Sequence, residues 1–235
     1  MHFLHCLFSF YFDGKGACTS MDGYLTIAGE ATDSFVEKKS RFIGAICPAK
    51  TEAEAQAFIH ARTKAHWDAK HNVYAYVLDG GSVCRFSDDG EPQGTAGIPV
   101  LDVLRKEGLT DCVVVVTRYF GGILLGGGGL VRAYSHAAKL AVDAAGVVEM
   151  RRCLAGHIVC DYAQYGWLPA LLAEHDASIT QTLFEENVTV CFSLPVPQRA
   201  GLEKALTERS AGRLEPAFTG EDFIPYPVIG GEKED

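Results

Sequence analysis

The sequence predicts an α+β fold in two domains, and three observations carry that expectation. The hydrophobic pattern switches repeatedly between the strand period of two and the helix period near 3.6. Glycines stand where segments end, at Gly80, Gly81, Gly108 and Gly146. The pattern also restarts after residue 153 with a second, shorter set of elements. At 235 residues the chain has room for two ordinary domains.

Residues 41–47 read as a strand. Residues 51–66 read as a helix with Thr51 as N-cap and Glu54 completing a capping box. Strands 72–79 and 82–86 form an expected hairpin closed by Gly80-Gly81. A helix over 95–107, with Thr95 available to cap it, ends at Gly108. Residues 111–119 are a nearly continuous apolar strand, and 130–145 a third helix with Gly146 just past its end. A strand at 147–153 closes the first domain. Then come strand 154–161, helix 166–175, strands 177–184 and 187–194, helix 198–208 and a short strand near Leu214, the β-α-β-β-α-β order of a ferredoxin-like domain. The expected domains are therefore 21–153 and 154–220, followed by a frayed tail, 221–235, rich in Pro, Gly and charge. Residues 1–20 read as a dispensable extension: the apolar run 3–12 has the length of a signal-peptide core but lacks Lys or Arg before it. Met21 is a candidate start.

No run approaches the ~20 apolar residues of a membrane span, which predicts a soluble protein. The eight cysteines are scattered without a Cys-x-x-Cys, and Cys47, Cys84, Cys112, Cys160 and Cys191 fall in apolar β runs. That usage fits a reducing cytoplasm and offers no zinc spacing. Residues 21–153 hold 15 Lys and Arg against 16 Asp and Glu, whereas 154–235 hold 5 against 13, so most of the net −9 lies in the second domain. A protein basic all over is excluded; a local basic site is not.

Two segments carry chemistry. In 86–97, Ser87-Asp88-Asp89-Gly90-Glu91 places three carboxylates in four positions after a strand. Asp88, Asp89 and Glu91 suit a divalent cation such as Mg2+, or acid and base roles; the same residues also suit plain turn chemistry. In 113–132 a buried strand ends in Arg118, Tyr119 and Phe120, passes Gly121-Gly122 and then Gly126-Gly127-Gly128-Gly129, and enters a helix bearing Arg132. Adjacent glycines free backbone N–H groups to converge on an anion, and a helix N-terminus adds its positive end. Arg118 suits bidentate phosphate contact, or else is the ion-pair partner of Asp88 or Glu91; an aromatic beside it suits stacking on a base. No Gly-Lys-Ser/Thr follows and position 131 is Val, so neither a P-loop nor a dinucleotide fingerprint is present. His71, close to Asp68, is a candidate for the mouth of the same site or a structural histidine.

His66-Trp67-Asp68-Ala69-Lys70-His71-Asn72-Val73-Tyr74-Ala75, with 86–97 and 118–134, resembles the YigZ/IMPACT family. The resemblance implies a first domain similar to the second domain of ribosomal protein S-five, a two-layer fold, and a second domain similar to the last domain of translocating elongation factors. It also implies a link to translation, which the eukaryotic relatives regulate under amino-acid stress through an additional N-terminal domain. The family usually has Thr where this chain has Gly127, so a hydroxyl contact there is lost while a backbone nest survives. Two functions follow as expectations. One is a module binding RNA, the ribosome or a phosphate-bearing small molecule in a single cleft formed by both segments. The alternative is a metal-assisted phosphoryl or ester hydrolase using Asp88, Asp89 and Glu91.

Overall fold

The computed structural model describes residues 23–228, so the expectations for 1–20 and Met21, and for the end of the tail, lie outside the described residues. The chain divides into two compact units, one built from Tyr24–Arg151 with the stretch from Ile224, the other from Arg152–Phe223. The elements in order are β1 (Gly23–Ile27), β2 (Ala31–Glu37), β3 (Ser40–Pro48), α1 (Glu52–Ala65), β4 (His71–Leu78), β5 (Val83–Ser87), α2 (Gly97–Lys106), β6 (Cys112–Tyr119), α3 (Gly127–Ala145), β7 (Val147–Cys160), α4 (Tyr162–Tyr165), α5 (Leu168–Glu174), β8 (Ser178–Phe184), β9 (Val188–Pro195), α6 (Arg199–Ser210) and β10 (Ala217–Pro227).

In the first unit an antiparallel sheet runs β2-β3-β6-β4-β5. Its central strand β6 is buried along nearly its whole length because both faces are covered, as a continuous apolar run requires. Cys112, Val114 and Val116 face α2 and α3, while Val113 and Val115 face α1. The unit therefore has three layers rather than the expected two. Gly44 on β3 lets α3 press onto the sheet: a Cβ there would collide with the Ala137 carbonyl oxygen. Helix α1 starts as its sequence predicts. The Thr51 hydroxyl accepts from the Glu54 amide, and the Glu54 carboxylate accepts from the Thr51 amide.

Several boundaries differ from expectation for local reasons. The β4–β5 hairpin turns over four residues, Asp79 to Ser82, since Leu78 pairs with Val83. Asp79, Gly80 and Gly81 all have positive φ, which a two-residue turn does not need. Helix α3 begins at Gly127, three residues early. β2 escapes the periodicity because it is an edge strand on which only Ala31 and Phe35 pack against the core while the other residues stay exposed.

The second unit follows the β-α-β-β-α-β order, with strands β10-β7-β9-β8 side by side. Its core gathers Ile158, Leu168, Leu172, Val190, Phe192 and Leu202. The helix expected at 166–175 is α5, and a separate short helix, α4, precedes it. Pro169 has no N–H to bond the carbonyl of residue 165, and Asp161 with Gln164 forms a capping box that starts α4 earlier. Residues 147–160 form one strand where two were expected. The last strand is β10, not a short one near Leu214, and it takes in 221–227 from the expected tail. Phe218, Phe223, Ile224 and Tyr226 are half-buried along it, and its prolines are tolerated on an edge strand.

Candidate functional site

The loop after β5 is organised by its carboxylates. Asp88 accepts hydrogen bonds from the amides of Gly94 (2.9 Å), Ala96 (3.1 Å) and Gly97 (2.8 Å), and so caps α2 from eight and nine residues back. Thr95, the expected cap, donates its hydroxyl to the Pro92 carbonyl instead (2.6 Å). Asp89 has a left-handed backbone, its carboxylate accepting from the Asn72 amide (2.5 Å) and its carbonyl from His71 Nδ1 (2.7 Å). A carbonyl only accepts, so Nδ1 carries the proton and leaves His71 Nε2 turned toward Glu91, 3.9 Å from Oε1. The Ser87 hydroxyl accepts from the Asp89 amide (3.2 Å) and stays within the turn. Asp88, Asp89 and Glu91 thus turn to three different sets of partners. Among the described residues no three His, Cys, Asp or Glu side chains gather as a cation would need.

Glu91 points inward. Its Oε1 receives Arg118 Nη1 (2.5 Å) and the Tyr134 hydroxyl (2.8 Å), and all three side chains are buried. Burial, then the adjacent Glu91 carboxylate, pushes the Tyr134 phenol far up, so it stays a donor. Arg118, near the end of β6, has Phe42 and His71 as register neighbours on β3 and β4. Its guanidinium carbon lies 5.4 Å from the ring centres of both Phe42 and Phe120. Its Nε is buried without a hydrogen-bond partner.

Beside it α3 begins. Gly126 needs glycine, with φ of 76°. Gly127 and Gly128 do not: their φ is ordinary, and a Cβ at either would meet nothing nearer than 3.9 Å. A Cβ on Gly129 would crowd Leu125 at 3.0 Å. Gly121 and Gly122 shape the turn after β6. Gly121 lies against the Lys39 backbone and donates to the Ser40 hydroxyl (3.2 Å), and Gly122 has φ of 83°.

These parts enclose a cleft of about 310 Å³. Its lining combines polar groups, Lys70, His71, Glu91, Arg118 and the backbone of Gly126 and Gly127, with apolar ones, Pro92, Phe120, Leu124, Leu125 and Leu130. The two segments expected to meet do meet. Tyr119 is not in the cleft. Adjacent strand residues face opposite sides, and Tyr119 donates to Asp68 (2.9 Å) and contacts His66 Nδ1 (3.0 Å) on the α1 side. Arg132 lines a separate hollow of about 260 Å³ with Phe35, Glu37, Lys38 and His136. Lys70 and Phe120 line the cleft in their place, and the buried Tyr134 holds Glu91 from within. Tyr134 was signalled in the sequence by its place in the apolar stripe of α3, where a buried hydroxyl needs a partner.

Along the sequence this chain is 38% identical over 196 residues to IMPACT family member YvyE of Bacillus subtilis, covering 83% of this chain and 90% of that protein. The chain belongs to the IMPACT family. It is 34% identical over 198 residues to family member YigZ of Escherichia coli, covering 83% and 97%. A Protein IMPACT homolog from Dictyostelium discoideum is 36% identical over 115 residues, 47% of this chain and 32% of that protein. The model of the Impact N-terminal domain matches residues 38–142, which contain every residue of the cleft, and a domain of unknown function, DUF1949, matches 158–213. A crystal structure described as a hypothetical protein superposes with a TM-score of 0.55 at 33% identity, covering 86% of this chain and all of that one.

Proposed function

We propose that this IMPACT family member is a translation-linked binding protein whose cleft holds phosphate, carried by RNA, the ribosome or a small molecule. One observation carries the reading: buried Arg118 keeps an unpartnered Nε in a cleft that also receives the first residues of α3. Lys70 adds a second cation against the single carboxylate of Glu91, so the local field favours an anion although the whole chain is acidic. The order β10-β7-β9-β8 supports the likeness of the second unit to the ferredoxin-like last domain of translocating elongation factors, a ribosomal setting. Binding is favoured over hydrolysis because among the described residues no Ser, Thr or Cys lines the cleft, and Asp88 and Asp89 are committed to backbone amides.

The test is fluorescence anisotropy of a labelled single-stranded RNA, repeated over a salt series. Wild-type affinity should fall linearly in log–log form, and Lys70→Gln should weaken binding and lower the slope by about 1. Absence of salt-dependent binding to RNA, ribosomes and phosphate compounds alike would sink the reading.

A further inference from the structure

We infer, resting on the phosphate reading above, that the cleft takes a nucleoside monophosphate group, with its phosphate on the polar groups and its base against Phe120. A bare phosphate accounts for only half of the lining. Lys70, Arg118 and the start of α3 would satisfy it, yet the rest of the wall is Pro92, Phe120, Leu124, Leu125 and Leu130. That wall is open: Leu124 is 82% exposed and Phe120 45% exposed. Large apolar side chains placed together at the rim of a polar pocket mark a ligand with an apolar part. The buried Arg118 guanidinium belongs to the same lining, its Nε unpartnered and its carbon 5.4 Å from the centre of the Phe120 ring. An arginine already seated against an aromatic ring is a stacking platform for a planar base.

Size and charge narrow the class. At about 310 Å³ the cleft sits at the low end of ligand pockets, with room for one nucleotide rather than a strand. Two cations and a helix N-terminus against one buried carboxylate suit the dianion of a phosphomonoester better than the single charge of a diester. Gly127 and Gly128, which nothing in the described chain requires, let such a group approach the amides without meeting a side chain. The same group occurs as a free mononucleotide and as the 5′-phosphorylated end of an RNA.

Isothermal titration of the full chain with adenosine monophosphate, adenosine and inorganic phosphate tests this. The monophosphate should bind at least about tenfold more tightly than either part. Phe120→Ala should erase that advantage while leaving phosphate affinity unchanged, and Lys70→Gln should weaken monophosphate and phosphate together. Leu124→Ser, at an exposed position, makes the same comparison should Phe120→Ala fail to fold. Equal affinity for monophosphate and phosphate, or a parallel loss of both in Phe120→Ala and Leu124→Ser, overturns the nucleotide assignment and leaves a plain phosphate site. Binding of none of these compounds and no RNA removes the phosphate reading itself. A tetranucleotide with and without a 5′-phosphate separates the sources: a 5′-phosphate preference exceeding the affinity for free monophosphate assigns RNA ends, and tighter binding of the free monophosphate assigns a metabolite.

Discussion

Glu91 Oε1 sits 2.5 Å from Arg118 Nη1, and that contact joins the loop after β5 to the end of β6 across 27 positions of sequence. Both side chains are buried, and Tyr134 shares the same oxygen.

Removing one member of such a pair leaves an uncompensated charge in the interior. Glu91→Ala is expected to lower stability by about 3–5 kcal/mol, read as a shift in the urea midpoint. Glu91→Gln should cost less, since its amide oxygen still accepts from Tyr134. Wild-type midpoints for both would show that the pair contributes nothing to the fold.

Asp88 holds three amides of its own loop, so its removal should open the loop and uncap α2. Asp88→Ala is expected to cost about 2 kcal/mol and Asp88→Asn about half of that, because Asn keeps one acceptor oxygen. Hydrogen exchange at Gly94, Ala96 and Gly97 checks the mechanism: protection there should fall first, and unchanged protection would contradict it.

Gly121 and Gly127 should respond in opposite directions. Gly121→Ala drives a Cβ into the Lys39 backbone, and a loss of about 2 kcal/mol or more is expected. Gly127→Ala finds open space in the first turn of α3 and should hold or raise stability by up to about 1 kcal/mol. Thermal melts of the two variants side by side decide the matter.

On the α1 side Arg62 Nη2 donates to His66 Nε2 (3.2 Å), His66 Nδ1 to the Tyr119 hydroxyl (3.0 Å), and that hydroxyl to Asp68 (2.9 Å). The chain requires a neutral His66. Burial, then the cations Arg62 and Arg41, lower its pKa against the opposing pull of Asp68. A folded pKa below the unfolded value means the fold binds fewer protons than the unfolded chain. The stability this histidine contributes is thus complete above about pH 6.5 and lost as pH falls from there through the folded pKa. His66→Gln should flatten the stability profile in that window. An unchanged acid limb would show that His66 does not titrate as described.

Legibility followed the distance between partners. Thr51 and Glu54 were readable because their bonds span three residues and depend on helix geometry alone. The β-α-β-β-α-β order of the second unit was readable from period changes, but the break between α4 and α5 depended on the missing N–H of Pro169. At the site, the meeting of the two segments followed from both connecting a strand to a helix, whereas the individual jobs of Asp88, Asp89 and Glu91 did not. The partners of their carboxylates lie 6 to 43 positions away, and nothing periodic announces them. The exclusion of Tyr119 was open to strand alternation: with Arg118 on one face, its neighbour had to take the other.

Gly44 has a bearing on how this protein can vary. Because α3 rests on β3 through a residue without a side chain, backbone meets backbone and no rotamer change can adjust the fit. Any larger residue there acts as a wedge beneath the helix at Ala137, about 15 Å along its axis from Gly127. The tilt would be felt at the helix start, which flanks Arg118. A lineage, or an engineer, wishing to reshape the cleft while keeping every residue that lines it has position 44 as a distant tuning screw.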